Sequence, residues 1–491
     1  MSKTHISDLV AETLHLSGEL DAGRPKRVTT RFAAAIPAIV RSRLVPRSAW
    51  HLQIRCCRAV LATYLVVAAP VVQAQTDQDA PLENPQYRGE NGSNHRKPID
   101  VTFNYSSDLN ADVAGGESRG LVYLGRASVL FDADLDHLIG LPGATAHLSF
   151  SNIHGIGLSG RHVSNLLLVS GLEAEPATRL NQLWFQIAPT STTTLRVGKF
   201  TAAQEFMVTE TGNLFVNSTF GWPAGFATDL PSGGPSYPIS DAGVRLAAKP
   251  DDHTTLRIAV FAGDPAGPGG GDPQQREKQG FNTFGLSGRP FIIGQISRDT
   301  GGTMPALTAT LGGWVHFDRF AVVSNPSVAP GPVLPPFGRG ANYAVYGLID
   351  GQLWQSTTDE KRLVSGFFRL SCSPSDRNVV DLYADAGITL SDPFAGRDSD
   401  KLGLGVGIAR ISPRLRSAAQ TLLESSTSAT YPAALEAVIE LSYQAALIGK
   451  LQVQPNLQFV IHPASEALSI QNPGGRSPNA LVLGLRASAS F

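Results

Sequence analysis

The chain is poor in charge, poor in cysteine and has no apolar run long enough to cross a bilayer as a helix. Asp, Glu, Lys and Arg make up 16% of its 491 residues, where a soluble globular chain carries about 25%. The net charge of −1 gives no field that would collect nucleic acid. Of three cysteines, Cys56 and Cys57 are adjacent near the start and Cys372 stands alone. That excludes a disulfide framework, and no zinc-type ligand spacing appears, so neither metal nor cofactor is expected. The apolar run Ala59–Ala69 falls well short of the about 20 residues a membrane helix needs. Mean hydropathy is −0.02, far from that of a helical membrane protein. Low charge with middling hydropathy is what a transmembrane β-barrel requires, because half of each strand faces lipid and half faces water.

What is present fits that requirement. Gly at 49 and Pro at 33 supply many turns. From Leu451 to Ile461 the odd positions (Leu451, Val453, Pro455, Leu457, Phe459, Ile461) are apolar, and most even ones (Gln452, Gln454, Asn456, Gln458) are amides. In the last run Leu481, Leu483, Leu485, Ala487, Ala489 and the terminal Phe491 oppose Gly484, Arg486, Ser488 and Ser490. This is the period of two of a strand with one apolar face. An aromatic final residue on a closing strand suits an outer-membrane barrel, although a soluble sandwich strand alternates in the same way.

Similar runs fall near residues 98–110, 121–131, 144–150, 182–187, 194–197, 243–246, 256–260, 307–318, 380–390 and 435–444, with weaker ones near 165, 291, 343, 364 and 404. That makes about 17 candidates. A bacterial single-chain barrel has an even number, so the expectation is an all-β, transmembrane antiparallel β-barrel of about 16 strands. Leu166-Leu167-Leu168-Val169 does not alternate and is the run to discard. Long Gly-, Pro- and Ser-rich segments at Glu205–Tyr237, Pro265–Gly288, Val322–Gly340 and Ser412–Pro432 contrast with tight turns elsewhere. This is the asymmetry of long extracellular loops and short periplasmic turns.

Arg55 and Arg58 precede the apolar run, and Val72-Gln73-Ala74 follows it with small residues. Residues 55–74 therefore read as a signal peptide cleaved near Ala74. Residues 1–54 form an N-terminal extension, explained either by a start assigned too far upstream or by a long leader. Residues 75–97 read as a flexible periplasmic lead-in, and 98–491 as the barrel.

Strand parity places Arg126, Arg196, Arg245, Arg257, Arg369 and Arg486 on the lumen side. Asp381, Asp385, Glu436 and Glu440 share that side, as do Trp184, Trp314, Trp354, Tyr346 and Tyr383. Charged and amide groups beside aromatic faces suit a neutral sugar; a barrel wall also needs polar side chains simply to hold its water. The loop Glu205–Tyr237 carries Phe206, Phe215, Phe220, Trp222 and Phe226, too many aromatics to lie free in water. It is expected to fold inward as a constriction or to pack on a neighbour. Gly116–Gly120 has the letters of a nucleophile elbow but no helix after it, so it reads as a hairpin turn. Gly403–Gly407 alternates like a glycine-rich strand and lacks the lysine of a phosphate loop. No catalytic constellation is evident.

Several stretches resemble one family: Tyr123–Gly125, Leu141–Ser149, Phe215–Pro223, Leu230–Pro238, Ser373–Asn378, Leu402–Val406, Gln454–Pro463 and Asn479–Arg486. In that order they resemble the carbohydrate-selective porins, the OprB family of Gram-negative outer membranes. The resemblance implies a barrel of 16 strands, passive diffusion of sugars such as glucose, and an arginine-bearing constriction, without saying which arginines form it. Its partners would be small sugars, the lipid bilayer and lipopolysaccharide, with a monomer or a homotrimer as the assembly. The competing expectation is a secreted or surface-exposed β-rich carbohydrate-binding protein that does not span the membrane.

Overall fold

The computed structural model describes residues 98–301, 304–322, 338–417, 433–447, 450–463 and 477–491. The strands are β1 (Ile99–Ala114), β2 (Gly120–Asp134), β3 (Ala144–Gly155), β4 (Ala177–Thr190), β5 (Thr193–Phe200), β6 (Asp241–Asp251), β7 (Thr254–Phe261) and β8 (Phe291–Asp299). The second half contains β9 (Ala306–Val322), β10 (Gly338–Gln355), β11 (Leu363–Cys372), β12 (Val380–Ser391), β13 (Lys401–Ile411), β14 (Leu435–Ala446), β15 (Gln452–Ile461) and β16 (Ala480–Ser490). Each pairs with its sequence neighbours, and β1 pairs antiparallel with β16 to close the barrel. Closure satisfies every strand edge, which a sheet in lipid requires. The terminal Phe491 completes the seam by exchanging backbone hydrogen bonds with Phe103 at 2.9 and 3.2 Å.

Period-two alternation produces the two faces directly. Val101, Ile258, Leu441 and Leu483 are between 44% and 53% exposed on the outer wall. Exposed apolar side chains in a continuous band belong against hydrocarbon, not water. The run Leu166–Val169 is not a strand; it lies between β3 and β4. Gly116–Gly120 is the β1–β2 turn and Gly403–Gly407 lies within β13. The connections 156–176, 201–240 and 262–290 are long and share one end of the barrel; 191–192 and 252–253 are tight turns at the other. Residues 323–337 and 418–432, the greater part of two expected loops, lie outside the described residues, as do 1–97.

Two of the long connections, 156–176 and 201–240, enter the barrel. Leu158, Val163, Leu167, Val169, Phe215 and Phe220 pack against the inward-facing Val122, Phe367, Val438, Val460 and Val482. Phe206, Met207, Phe226 and Leu230 pack against Phe261, Phe291, Ile293, Trp314 and Tyr346. The inside of the barrel is therefore not uniformly wet, as alternation alone suggests. Each buried aliphatic or aromatic side chain contributes about 1.5–3 kcal/mol to holding the loops in place.

β13 is shaped for this. A Cβ at Gly405 would stand 2.8 Å from Phe220 Cζ, and one at Gly403 2.5 Å from Leu214 Cδ2. At Gly387, on the neighbouring β12, it would stand 2.9 Å from Phe215 Cε2. The missing side chains leave the bay that the loop fills.

Candidate functional site

A buried loop brings backbone N–H groups that must find acceptors, and inward wall carboxylates provide them. Glu440 accepts from Val216 N and Asn217 N at 2.7 and 2.8 Å. Glu436 accepts from Leu166 N and Leu167 N at 2.9 and 2.7 Å. Arg369 pairs with Asp385, both wholly buried, and donates to the carbonyls of Met207, Gly221 and Thr219 at 2.8–2.9 Å. Tyr383 donates to Thr219 O at 2.9 Å. Arg486 pairs with Asp108, and Asp381 with Arg410.

These placements revise the expected solute path. Arg369, Asp385, Glu436, Glu440 and Tyr383 point inward but are covered by the loops and at most 2% exposed. They fasten the loops and touch no open lumen. Parity reports the side a residue faces, not what lies over it. Trp314 is likewise inward and covered, edge-on to Phe226 at 5.7 Å. Phe206, Phe215 and Phe220 are buried anchors rather than lumen-lining rings. Trp354 is a correction of side. A bulge between Gln352 and Trp354 resets the alternation, and Trp354 stands 50% exposed on the outer wall.

A second inward cluster lies on β4–β7, where Trp184 and Arg257 keep part of their surface open to the lumen while Gln186 and Arg196, 9% exposed, and Arg245, 1% exposed, stand behind them. Gln186 pairs across to Arg196 in register, and Arg196 to Arg245. Two arginines directly opposite each other repel. Glu205, from the loop 201–240, lies between them, 3.0 Å from Arg196 Nη1 and 2.5 Å from Arg245 Nε. The second is a contact of charge, since that N–H makes no aligned hydrogen bond. Gln186 Oε1 accepts from Arg196 Nε at 3.1 Å and Arg245 Nη2 at 2.8 Å. The Arg196 guanidinium stacks 3.7 Å above the half-buried Trp184 ring. His147 stacks against the same tryptophan at 5.1 Å. Arg257 on β7 feels the Glu205 charge but, among the described residues, holds no hydrogen bond or ion pair. Arg126 faces the Tyr237 ring at 5.2 Å, and half-buried Trp222 donates to Gly233 O at 3.3 Å.

Three arginines against one carboxylate leave this zone positive, with amides and tryptophan faces beside the charge. Gln182, Gln186 and His147 belong to it although only arginines, acids and aromatics were singled out in the sequence. Their alternation already placed them on the polar face; residue type was the wrong filter. Arg179, inward and 2% exposed, lay beyond the legible run because the ladder shifts between Ser149 and Phe150.

A closed barrel with an apolar outer wall and loops folded into its lumen defines a membrane channel of the porin class. The family model described as "Carbohydrate-selective porin, OprB family" matches residues 118–491. The chain belongs to that family, whose members are outer-membrane channels and not enzymes. It is similar to Porin B of Pseudomonas aeruginosa, 26% identical over 162 residues that cover 31% of this chain and 34% of that relative. The match thus spans about a third of the relative's length. Among solved structures, the high-pH structure of Pseudomonas putida OprB overlays with a TM-score of 0.71 at 19% identity, covering 80% of this chain and 94% of that one. The overlay bears on the fold alone. A carbohydrate-binding protein that does not span the membrane is set aside by the closed barrel and the family match.

Proposed function

We propose that this porin lets monosaccharides such as glucose, and related small polar solutes, diffuse passively across the outer membrane past the partly exposed Trp184 and Arg257, with Arg196, Arg245 and Glu205 setting the charge behind them. The observation that carries the reading is the guanidinium of Arg196 stacked on Trp184 beside Gln186. With its ring covered by the Arg196 guanidinium, Trp184 holds that cation flat beside the Gln186 amide, and fixed donors and acceptors of this kind exchange a sugar's water for wall contacts. Passage needs contacts weak enough to release again, and half-buried rather than enclosed rings satisfy that. The surplus of arginine disfavours cations without penalising an uncharged solute. Export through a signal peptide over 55–74, cleavage near Ala74, a lead-in over 75–97 and a barrel over 98–491 complete the proposal, with lipopolysaccharide outside and a monomer or homotrimer as the assembly.

The test is the swelling of reconstituted vesicles in isotonic glucose and in protonated glucosamine, which differ little in size and by one charge. Glucose is expected to enter faster. Equal rates would remove the role given to the arginines, and glucose entry no faster than in protein-free vesicles would overturn the reading.

A further inference from the structure

Beneath the inserted loop, on the wall opposite the arginines, lies a cavity of about 630 Å³. Its roof is the loop segment from Glu210 to Leu214, and its sides are the turn-end positions of β10 to β15. Gln352, Ser365, Thr389, Lys401, Gln444 and Gln452 all line it. None of these side chains has a hydrogen bond or ion pair among the described residues. Higher on the same wall the inward polar groups are committed. Glu440, Gln454 and Gln458 hold loop backbone, and Asp385 holds the Arg369 guanidinium. The change from committed to uncommitted polar groups falls within one or two inward positions on β10, β11, β12, β14 and β15.

We propose that this cavity is a second holding site for an uncharged polyhydroxylated solute, spatially separate from the arginine zone and reached from the turn end of the barrel. It rests on the sugar-channel reading above. The volume falls within the roughly 300–1,000 Å³ of small-molecule sites. Amides and hydroxyls offer both donors and acceptors, which is what a hydroxyl-rich ligand requires and an ion does not. Glu210, Asp350 and Lys401 are the charged residues of the lining; Asp350 is taken up by the loop amides of Glu210 and Thr211, so the groups left open are one charge of each sign among uncharged amides and hydroxyls. No aromatic ring lines it, so hydrogen bonds rather than stacking would hold the ligand, and loosely.

The experiment is single-channel recording in planar bilayers with glucose added from one side at a time. The wild-type protein is compared with the double variant Gln444→Leu/Gln452→Leu, and insertion of each is checked by heat-modifiable mobility. In the wild type, glucose from the turn side is expected to reduce the current at lower concentration than glucose from the loop side. In the double variant the half-blocking concentration from the turn side should rise about three- to tenfold, the loss expected for one or two hydrogen bonds, while block from the loop side persists. Unchanged turn-side block in a correctly inserted variant overturns the second site and leaves the channel reading intact. If that variant inserts poorly, Ser365→Ala with Thr389→Val serves instead, with the same criteria. Absence of glucose block from either side in the wild type would remove the channel reading, and this proposal with it.

Discussion

Glu205 illustrates how much a single side chain decides. Arg196 and Arg245 face each other across β5 and β6, and the carboxylate between them converts a repulsive pair into a bridged one. Glu205→Gln should raise the preference for anions over cations, measured as a reversal potential under a salt gradient. It should also lower stability by about 3 kcal/mol, the lower end for breaking a buried pair, since both partners keep about a tenth of their surface exposed. An unchanged reversal potential would contradict the placement of the charges. Trp184 is the other decisive residue. Trp184→Ala removes the ring face that Arg196 covers at 3.7 Å. Glucose should then block the channel from the loop side about tenfold more weakly, the equivalent of roughly 1.4 kcal/mol; block at the wild-type concentration would move the sugar contact elsewhere.

At the scale of elements, the inserted loop and its wall form one packing unit. Gly405→Leu would drive a side chain into Phe220 and Phe215, which a Cβ alone already approaches to 2.8 and 3.0 Å. The expected outcome is a displaced loop, a larger single-channel current and a loss of about 1–3 kcal/mol from overpacking; an unaltered current would show that the loop does not narrow the lumen. The helix Ala224–Asp229 ends on a second fastening. Asp229 accepts from Val379 N and Val380 N at 3.1 and 3.3 Å and from the Ser373 hydroxyl at 3.1 Å. Burial pushes its carboxyl up to about 8, against those hydrogen bonds, which favour the ionised form. A folded pKa raised above the unfolded 3.8 means the folded state binds more protons between about pH 4 and 8. This group's contribution to stability therefore falls as pH rises through that window and is flat above it. Thermal unfolding in detergent should show a midpoint that decreases from pH 5 to 9, with a weaker dependence in Asp229→Asn.

The same scale explains what could be read from the sequence. Lipid on one side imposes a strict period of two, so β2, β12, β14 and β16 stand out without any neighbour being known. Even the glycine-rich β13 is legible, because Leu402, Leu404, Val406 and Ile408 keep the period. Parity failed where the backbone inserts a residue, as at Trp354 and Arg179, since a bulge leaves no mark in composition. It also could not distinguish a wall residue that meets solute from one that meets a loop. Glu440 and Glu205 look alike in sequence; one holds backbone amides and the other faces arginines, because one loop covers the first and presents the second.

For the whole molecule, the barrel supplies a rigid, edge-free wall, and the inserted loops turn its wide interior into two polar zones separated by dry packing. Low overall charge then has a simple origin: half of every strand faces hydrocarbon, where a charged side chain is costly, and charge is confined to the inner wall and the loops and turns. The most direct test of this account is the single-channel current of the reconstituted full chain titrated with glucose. Open-channel steps that diminish in a saturable, concentration-dependent way as glucose enters the Trp184 zone are predicted. A pore whose current falls only in proportion to the viscosity of the solution, or no pore at all, would contradict it.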